Sequence, residues 1–407
     1  MNKFVAALLA LCIMLPLAAC DDSNKPAEIT SPEGAEPSES VPVSGDNIPA
    51  ESPSASSKPA LDNTADSVGF YTDDVDWFAR EPYKIVFIQQ TSHFINSSLE
   101  DMFEKWGGLL NYSLTAFDAG GDQDKYLNAM SVYASEGADG FLLDADNTFS
   151  ARVQELADDI GIPYMPTLLP FLDSEGHFSY PSVGMDNYAY GAQQAKWLYD
   201  NMNKYFEPDA DWADVGFISV TYSPVKDMSD RSTGAVDYYR VQWPDIAESN
   251  LFISDGASGT MSAETAFDNV GAVISANAQF EYWVIQTVTE DFGQGSARAL
   301  EQLGFTQENA IVNCIGGVML IGEWEGGYEG TWVSAIHIVQ EFLSEGMICG
   351  LIALIDGRAT PETLFQNYIK EGEKYGTPVI ESTIIEIDTY KDYLAYIDEY
   401  FSGRIGA

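Results

Sequence analysis

Beyond Pro82, short apolar runs rich in β-branched residues alternate with longer segments of helical periodicity. The first such run is KIVFIQ at 84–89, and the same alternation resumes at Val215. Strands separated by helices are typical of βαβ units, in which the strands pair in parallel. Two such series follow one another, each about as long as a domain. The sequence therefore predicts an α/β protein with two doubly wound parallel-sheet lobes.

The apolar periodicity also gives approximate bounds for the elements. In the first half, strands are predicted at 84–89, 112–117, 140–143 and 163–168, with helices at 98–110, 122–137 and 150–161. In the second half, strands are predicted at 215–220, 282–287 and 310–314, with helices at 233–241, 263–276 and 295–303.

The first twenty residues have the composition of an export signal. Lys3 precedes an apolar run from Phe4 to Leu17, and the small residues Ala18 and Ala19 precede Cys20. This arrangement is typical of a bacterial lipoprotein signal at 1–20, with Cys20 as the acylated first residue of the mature chain. The alternative is an ordinary secretory peptide in which Cys20 is incidental. Residues 21–69 are rich in Pro, Ser and Glu and predict a disordered acidic tether.

The charge balance excludes several classes of partner. The chain has 19 basic and 63 acidic residues and a formal net charge of -44. Such a surface repels phosphate backbones, so we expect no nucleic-acid partner and no polybasic membrane patch. Cys314 and Cys349 remain for the folded body, and we favour two free buried thiols over a disulfide. No zinc-type spacing of Cys or His occurs in the sequence.

Several segments, in their order and spacing, resemble the type I periplasmic binding protein superfamily, in particular its ribose-, galactose- and arabinose-type branch. The segments are EGADGFLLDADN (136–147), IGIPYMPTLLP (160–170), SVGMDNYAYGAQQAKWL (182–198), ARALEQLGF (297–305) and LIALIDGRATPETL (351–364). The resemblance covers nearly all of 83–401.

This resemblance implies two lobes joined by a three-stranded hinge. The N-terminal lobe would comprise 70–186 and 335–379, and the C-terminal lobe 187–334 and 380–407. The chain would cross the hinge near Asp186–Asn187, near Trp332–Ser334 and near Val379–Glu381. A ligand would be trapped between the lobes, where strand ends and helix N-termini meet.

The resemblance also suggests ligand-binding residues in the first lobe. The loop after the first strand supplies Gln89, Gln90, Ser92, His93 and Phe94. Phe94 falls close to the aromatic position that stacks on a sugar face, although it could instead pack as core. His93 could bind a hydroxyl or serve as a structural hydrogen-bonder. Asp144 and Tyr164 are further polar candidates, whereas the family's polar position near 167–169 is apolar here.

In the second lobe, Arg231 matches the family's arginine ahead of a helix, with a salt bridge to Asp227 or Asp230 as the alternative. The other candidates are Thr287, Glu290, Asp291, Gly317 and Trp332. Gly317 follows a strand where the family often has an acid or amide, and its backbone could approach the ligand instead. Trp332 could form an aromatic wall or pack in the core.

These features favour binding over catalysis. No nucleophile elbow, phosphate loop or metal-ligand pair is present, and the side chains of Glu290 and Asp291 would diverge. We expect no enzyme activity, cofactor or metal. We expect a monomeric extracytoplasmic lipoprotein, anchored to the bacterial cell membrane, that delivers a small polar ligand, a sugar, to an ABC permease. The alternative is a sensor for a sugar, nucleoside or autoinducer that signals to a membrane kinase or chemoreceptor.

Overall fold

The structure is a computed structural model that describes residues 69–92, 94–207, 210, 212–242, 248–380 and 382–402. The predicted export signal, Cys20 and the tether as far as residue 68 lie outside these ranges, as do His93, Glu381, 403–407 and the side chain of Phe94.

The first sheet contains four parallel strands in the order β2-β1-β3-β4. They are β1 (Tyr83–Gln89), β2 (Tyr112–Asp118), β3 (Gly140–Asp144) and β4 (Tyr164–Pro166). The helices between them are α1 (Phe94–Leu110), α2 (Gln123–Ser135) and α3 (Ser150–Ile160). All five residues of β3 are buried, as expected for a strand covered by helices on both faces.

The second sheet contains six strands in the order β10-β9-β8-β7-β5-β6. They are β5 (Val215–Thr221), β6 (Leu251–Asp255), β7 (Tyr282–Thr287), β8 (Ala310–Gly316), β9 (Trp332–His337) and β10 (Thr383–Glu386). Its helices are α4 (Asn187–Asn201), α5 (Lys226–Gln242), α6 (Ala263–Ala276), α7 (Glu290–Gln302) and α8 (Val318–Glu325). The predicted α/β fold with two sheets is confirmed, except that β10 pairs antiparallel with β9.

The chain passes between the two lobes at neighbouring positions. Gly184 forms a parallel bridge with Val379, and its backbone N–H donates to the carbonyl of Pro378 at 2.9 Å. The crossing that was predicted near Trp332–Ser334 lies further along the chain. β9 stays in the second sheet through His337, and α9 (Gln340–Ile355) then packs in the core of the first lobe. Residues 335–337 therefore belong to the second lobe, because the strand continues to pair with β8 beyond Ser334.

The C-terminal helix α10 (Tyr390–Ser402) contacts both lobes. Tyr390 packs against Trp324 of α8 with ring centroids 5.2 Å apart. Phe401 packs against Phe342 of α9 at 4.9 Å and against Trp106 of α1 at 6.4 Å. Residues 380–407 were predicted to belong to the second lobe, whereas the end of this helix packs on the first lobe through Phe401.

The segment before β1 is ordered and packs on the first lobe. Phe70 lies 5.5 Å from Phe365 between ring centroids, and Tyr71 lies 6.0 Å from Trp106. The Tyr71 N–H also donates to the buried carboxyl of Glu345 at 3.1 Å. The chain is therefore already held against the body at residue 70.

Cys314 and Cys349 are both buried thiols and are not joined in a disulfide, in agreement with the prediction. They belong to separate hydrophobic clusters, one in each lobe. Within the described ranges, no helix combines the length and hydropathy needed to cross a membrane.

Candidate functional site

The strands of the first sheet end in polar residues that lie side by side. The register pairs Gln89 at the end of β1 with Asp118 of β2 and with Asp144 of β3. Thr167 directly follows β4, and its N–H donates to the carbonyl of Leu143 at 2.9 Å. We call this row of residues the first edge. Ligands of open α/β sheets bind outside the carboxyl ends of the strands, so this is the expected position for a site.

Gln90 locks the loops of the first edge together. Its side-chain Nε2 donates to Oδ2 of Asp146 at 2.7 Å, and its Oε1 accepts from the Asp146 N–H at 2.8 Å. The Ser92 N–H donates to Oδ1 of Asp118 at 3.1 Å. Gln90 and Ser92 thus lie where the sequence predicted, and the Gln90 amide is already committed to a partner within the protein.

Asp144 is a buried carboxylate at the centre of the first edge. Its Oδ2 accepts from Nδ2 of Asn96 at 2.8 Å. Burial raises the pKa of Asp144 to about 6, and the hydrogen bond from Asn96 opposes that rise. Asn96, in the first turn of α1, was not predicted. Its only signal was an amide in the first turn of the helix after β1.

The ends of the strands in the second sheet form a corresponding row, which we call the second edge. It comprises Thr287 at the end of β7 with residues 288–290 after it, Gly316 at the end of β8 with Gly317 after it, and His337 at the end of β9. Gly316 and His337 are paired in register. Thr287 is buried, and its Oγ1 donates to the Thr289 carbonyl at 2.9 Å.

Glu290 is the first residue of α7, and its side chain lies at the N-terminus of α8. Its Oε1 accepts from the backbone N–H groups of Met319 at 2.6 Å and Leu320 at 3.4 Å. A carboxylate at this position is favoured by the helix dipole. Burial nevertheless raises the pKa of Glu290 to about 7, and these hydrogen bonds oppose that rise. Asp291, by contrast, is exposed.

The glycines after β8 make room for this arrangement. Gly316 has φ +136°, and a Cβ there would lie 2.3 Å from Cγ of Glu290. Gly317 has φ +99°, and a Cβ there would lie 2.9 Å from Cδ2 of His337. A side chain at either position would collide with a buried polar group, so these glycines are needed for packing as well as for backbone conformation.

Arg231 is buried within α5, and its side chain donates two hydrogen bonds to oxygen atoms. Its Nε donates to Oδ1 of Asn187 at 2.8 Å, and its Nη1 donates to the Val288 carbonyl at 2.7 Å. Burial lowers the pKa of Arg231 to about 10, while the charge of Asp227 opposes that change. Asp230 pairs with Lys226 instead, at 2.5 Å.

Two glycines bring Arg231 close to the start of α4. A Cβ at Gly191 of α4 would lie 1.7 Å from the Arg231 carbonyl oxygen. A Cβ at Gly234 of α5 would lie 2.0 Å from the Tyr188 carbonyl oxygen. The two helices therefore touch backbone to backbone, which places the guanidinium beside Asn187.

His337 was not predicted as a site residue. Its side chain is 6% exposed, and the Nδ1 atom is buried without a hydrogen-bond partner. Burial lowers its pKa to about 4, so the ring is neutral at pH 7. The ring packs edge-on against Tyr393 at 5.6 Å. A hinge crossing was predicted near Trp332–Ser334, within this strand, so the end of the strand was not among the predicted site positions.

Tyr164 and Trp332 lie at the ends of their strands that are away from the two edges, so the structure does not bring these two predicted residues to the candidate site. Tyr164 begins β4, stacks on Tyr180 at 4.0 Å and donates to Asp158 at 3.1 Å. Trp332 begins β9 and is 1% exposed in the core of the second lobe. Aromatic composition alone does not show at which end of a strand a side chain lies.

Among the buried side-chain polar atoms of the described residues that lack a hydrogen-bond partner, six lie on or next to the two edges. They are Gln89 Oε1, Asn147 Oδ1 and Thr167 Oγ1 on the first, and Asp227 Oδ2, His337 Nδ1 and Gln340 Oε1 on or next to the second. Such atoms are uncommon in proteins, and each calls for an explanation. A polar ligand between the edges would supply their missing partners.

A groove of about 600 Å³ lies beside the second edge. It begins near Met319 and runs between α7 and α8 to Gly326, Gly327 and Tyr328. Because it follows the outer surface of the helices, we do not assign the ligand to it. No group of three or more His, Cys, Asp or Glu side chains suited to a metal ion occurs among the described residues.

A model of the periplasmic binding protein domain matches residues 83–330. A search of curated proteins found no match. Solved structures share the fold at low sequence identity. An ABC transporter periplasmic solute-binding protein from Actinobacillus succinogenes 130z with bound D-allose has a TM-score of 0.60 and 17% identity, covering 76% of this chain and 100% of that one.

Two further solved structures show the same similarity. The Caulobacter myo-inositol binding protein bound to myo-inositol has a TM-score of 0.60 and 14% identity, covering 76% of this chain and 95% of that one. An ABC transporter solute-binding protein from Agrobacterium vitis with bound allitol has a TM-score of 0.58 and 14% identity, covering 78% of this chain and 99% of that one.

Proposed function

The chain belongs to the periplasmic binding protein family, and we propose that it captures a small hydroxylated ligand between the first and second edges. The observation that carries this proposal is the set of unpartnered buried polar atoms around the carboxyl ends of both sheets. The chain connections at Gly184 and Val379 lie side by side, an arrangement that suits hinge closure.

The proposed ligand class is supported by the relatives with known structures. Those named above hold D-allose, myo-inositol and allitol, all of which carry several hydroxyl groups. Hydroxyls both donate and accept hydrogen bonds, so they match the mixed polar atoms of the edges. His93, which follows β1 in the sequence, and Phe94, the first residue of α1, remain proposed contacts.

We further propose that the protein delivers its ligand to an ABC permease in the same membrane. Residues 1–20 would direct export, and acylated Cys20 would anchor the chain through the tether of residues 21–69. Binding would occur without chemical conversion. The Glu290 carboxylate is turned toward backbone N–H groups of α8, so it is not aimed at a substrate as a general base.

His337 offers a direct test of the site. The full chain is extracted in detergent and titrated calorimetrically with hydroxylated ligands first identified by thermal shift. We expect His337→Gln to weaken binding at least about tenfold, because the ring is buried at the second edge. His177→Gln is the matched control, since His177 is exposed and lies outside both edges.

Equal losses for His337→Gln and His177→Gln, or no loss for either, would contradict the placement of the site. If no sugar, polyol or nucleoside raises the melting temperature of the wild-type protein, the proposed function itself fails.

A further inference from the structure

The two edges are rich in carboxylates that have no basic partner. Asp144 on the first edge and Glu290 on the second are 7% and 6% exposed. In the described part of the chain, no Lys or Arg nitrogen lies within 4.0 Å of either carboxylate. Burial raises the pKa of Asp144, and the hydrogen bond that its Oδ2 accepts from Asn96 Nδ2 at 2.8 Å favours the ionised form.

Two features that would attract an anionic ligand already make contacts within the protein. Arg231 donates through Nε to the Asn187 side chain and through Nη1 to the Val288 carbonyl, and its Nη2 lies 3.9 Å from the Met185 sulfur. The N-terminus of α8, which is a natural anion site, holds the Glu290 carboxylate. A phosphate or carboxylate on the ligand would therefore have to displace contacts made within the protein.

The unpartnered atoms at the two edges favour a ligand that donates hydrogen bonds. Gln89 Oε1, Asn147 Oδ1, Asp227 Oδ2 and Gln340 Oε1 can only accept hydrogen bonds, and no atom that can only donate is unpartnered at either edge in the described ranges. Gln89 is 3% exposed and Gln340 is 8% exposed, so solvent reaches them poorly. The ligand must therefore be rich in donors.

Closure of the lobes would intensify this requirement. A buried carboxylate is strongly disfavoured unless a positive charge or several hydrogen bonds compensate it. A neutral sugar would leave Asp144 without a counter-charge once water is excluded, whereas an ammonium group would neutralise it and donate three hydrogen bonds.

We infer that the ligand is a hydroxylated primary amine, of the amino sugar or aminocyclitol class, with its ammonium group at Asp144. This inference rests on the proposed function, because it assigns the chemistry of the same site. It adds a preference for positive charge that the hydroxylated ligands of the named relatives do not imply.

The test is a competition at pH 7 with the full chain in detergent. The protein is dialysed against an equimolar mixture of neutral hexoses, their 2-amino forms, their N-acetyl forms and the hexose 6-phosphates. Retained compounds are quantified by mass spectrometry. We expect at least tenfold enrichment of one amino sugar over its neutral and N-acetylated counterparts, because acetylation removes the charge and leaves the hydroxyls in place.

Asp144→Asn supplies the second measurement. Its amide is nearly isosteric and can still accept the hydrogen bond from Asn96, so the fold should be retained. We expect the preference for the amino form to fall at least tenfold. Asp139→Asn removes the same charge just before the opposite end of β3 and should leave the preference unchanged.

The outcomes separate the two proposals. Enrichment of a neutral, acetylated or phosphorylated sugar would overturn the amine assignment and leave sugar capture intact. Retention of no compound would count against capture of a hexose itself, and the amine assignment would fall with it. An unchanged preference in Asp144→Asn would show that this carboxylate is not the counter-charge.

Discussion

The close contact between α4 and α5 can be tested by adding a single methyl group, in the variant Gly191→Ala. A Cβ at Gly191 would lie 1.7 Å from the Arg231 carbonyl oxygen, whereas Cβ atoms in proteins essentially never approach another atom closer than 3.0 Å. The obstacle is backbone on both sides, so no change of rotamer relieves it. Gly191→Ala must therefore push the two helices apart.

The size of the effect follows from two opposing contributions. Alanine is a better helix former than glycine by about 0.8–1 kcal/mol. Overpacking a core usually costs about 1–3 kcal/mol, and we expect the upper end or more because the backbone must move. The net loss in free energy of unfolding should be at least about 2 kcal/mol, or about 4 °C in melting temperature. Ligand affinity should also fall, because Arg231 moves with α5.

Gly108→Ala is the matched control. Gly108 lies in α1, and a Cβ there would meet no atom within 4 Å. We expect this variant to gain about 0.5–1 kcal/mol from helix propensity alone. Thermal unfolding of both variants, followed by circular dichroism, should therefore give shifts of opposite sign. A Gly191→Ala protein as stable as the wild type would refute the backbone contact.

Three other perturbations test separate features. The pKa of Glu290 is raised from 4.5 to about 7, so its contribution to stability is fully present below pH 4.5 and is lost as the pH rises through 7. Glu290→Gln should remove about 3 kcal/mol of that pH dependence in urea unfolding, and an unchanged profile would contradict the raised pKa. Phe401→Ala should cost about 3–5 kcal/mol by calorimetry, whereas Phe78→Ala, at a 63% exposed residue, should cost under about 0.5 kcal/mol. Equal effects would argue against the anchoring of α10. Cys20→Ser should move the protein from the membrane fraction to the soluble fraction, and its retention would exclude the lipid anchor.

Seven strands were predictable because their signal is local, whereas β6, β9 and β10 were not predicted. Buried parallel strands form continuous apolar runs, and all seven predicted strands are present within about two residues of their bounds. Helix starts were less predictable. α5 begins at Lys226 and α7 at Glu290, several residues before the predicted starts, because their first turns are polar or rich in glycine and lack apolar periodicity.

The candidate site was predictable in position but not in detail. Local sequence indicated that polar residues follow β1, β3 and β7. It did not indicate that the Gln90 side chain is hydrogen-bonded to Asp146, 56 residues away along the chain. Nor did it indicate that the Glu290 side chain caps α8 by accepting from the N–H of Met319, 29 residues away.

Sequence alone determined the alternation of strands and helices, since that pattern depends on neighbours along the chain and on which residues must be buried. Only the tertiary structure decided that β9 continues to His337 and that α10 reaches the first lobe. It also decided that Tyr164 and Trp332 lie at the ends of their strands away from the two edges. These features depend on pairing and packing between residues far apart in sequence, and apolar periodicity carries no information about which distant partner a residue will meet.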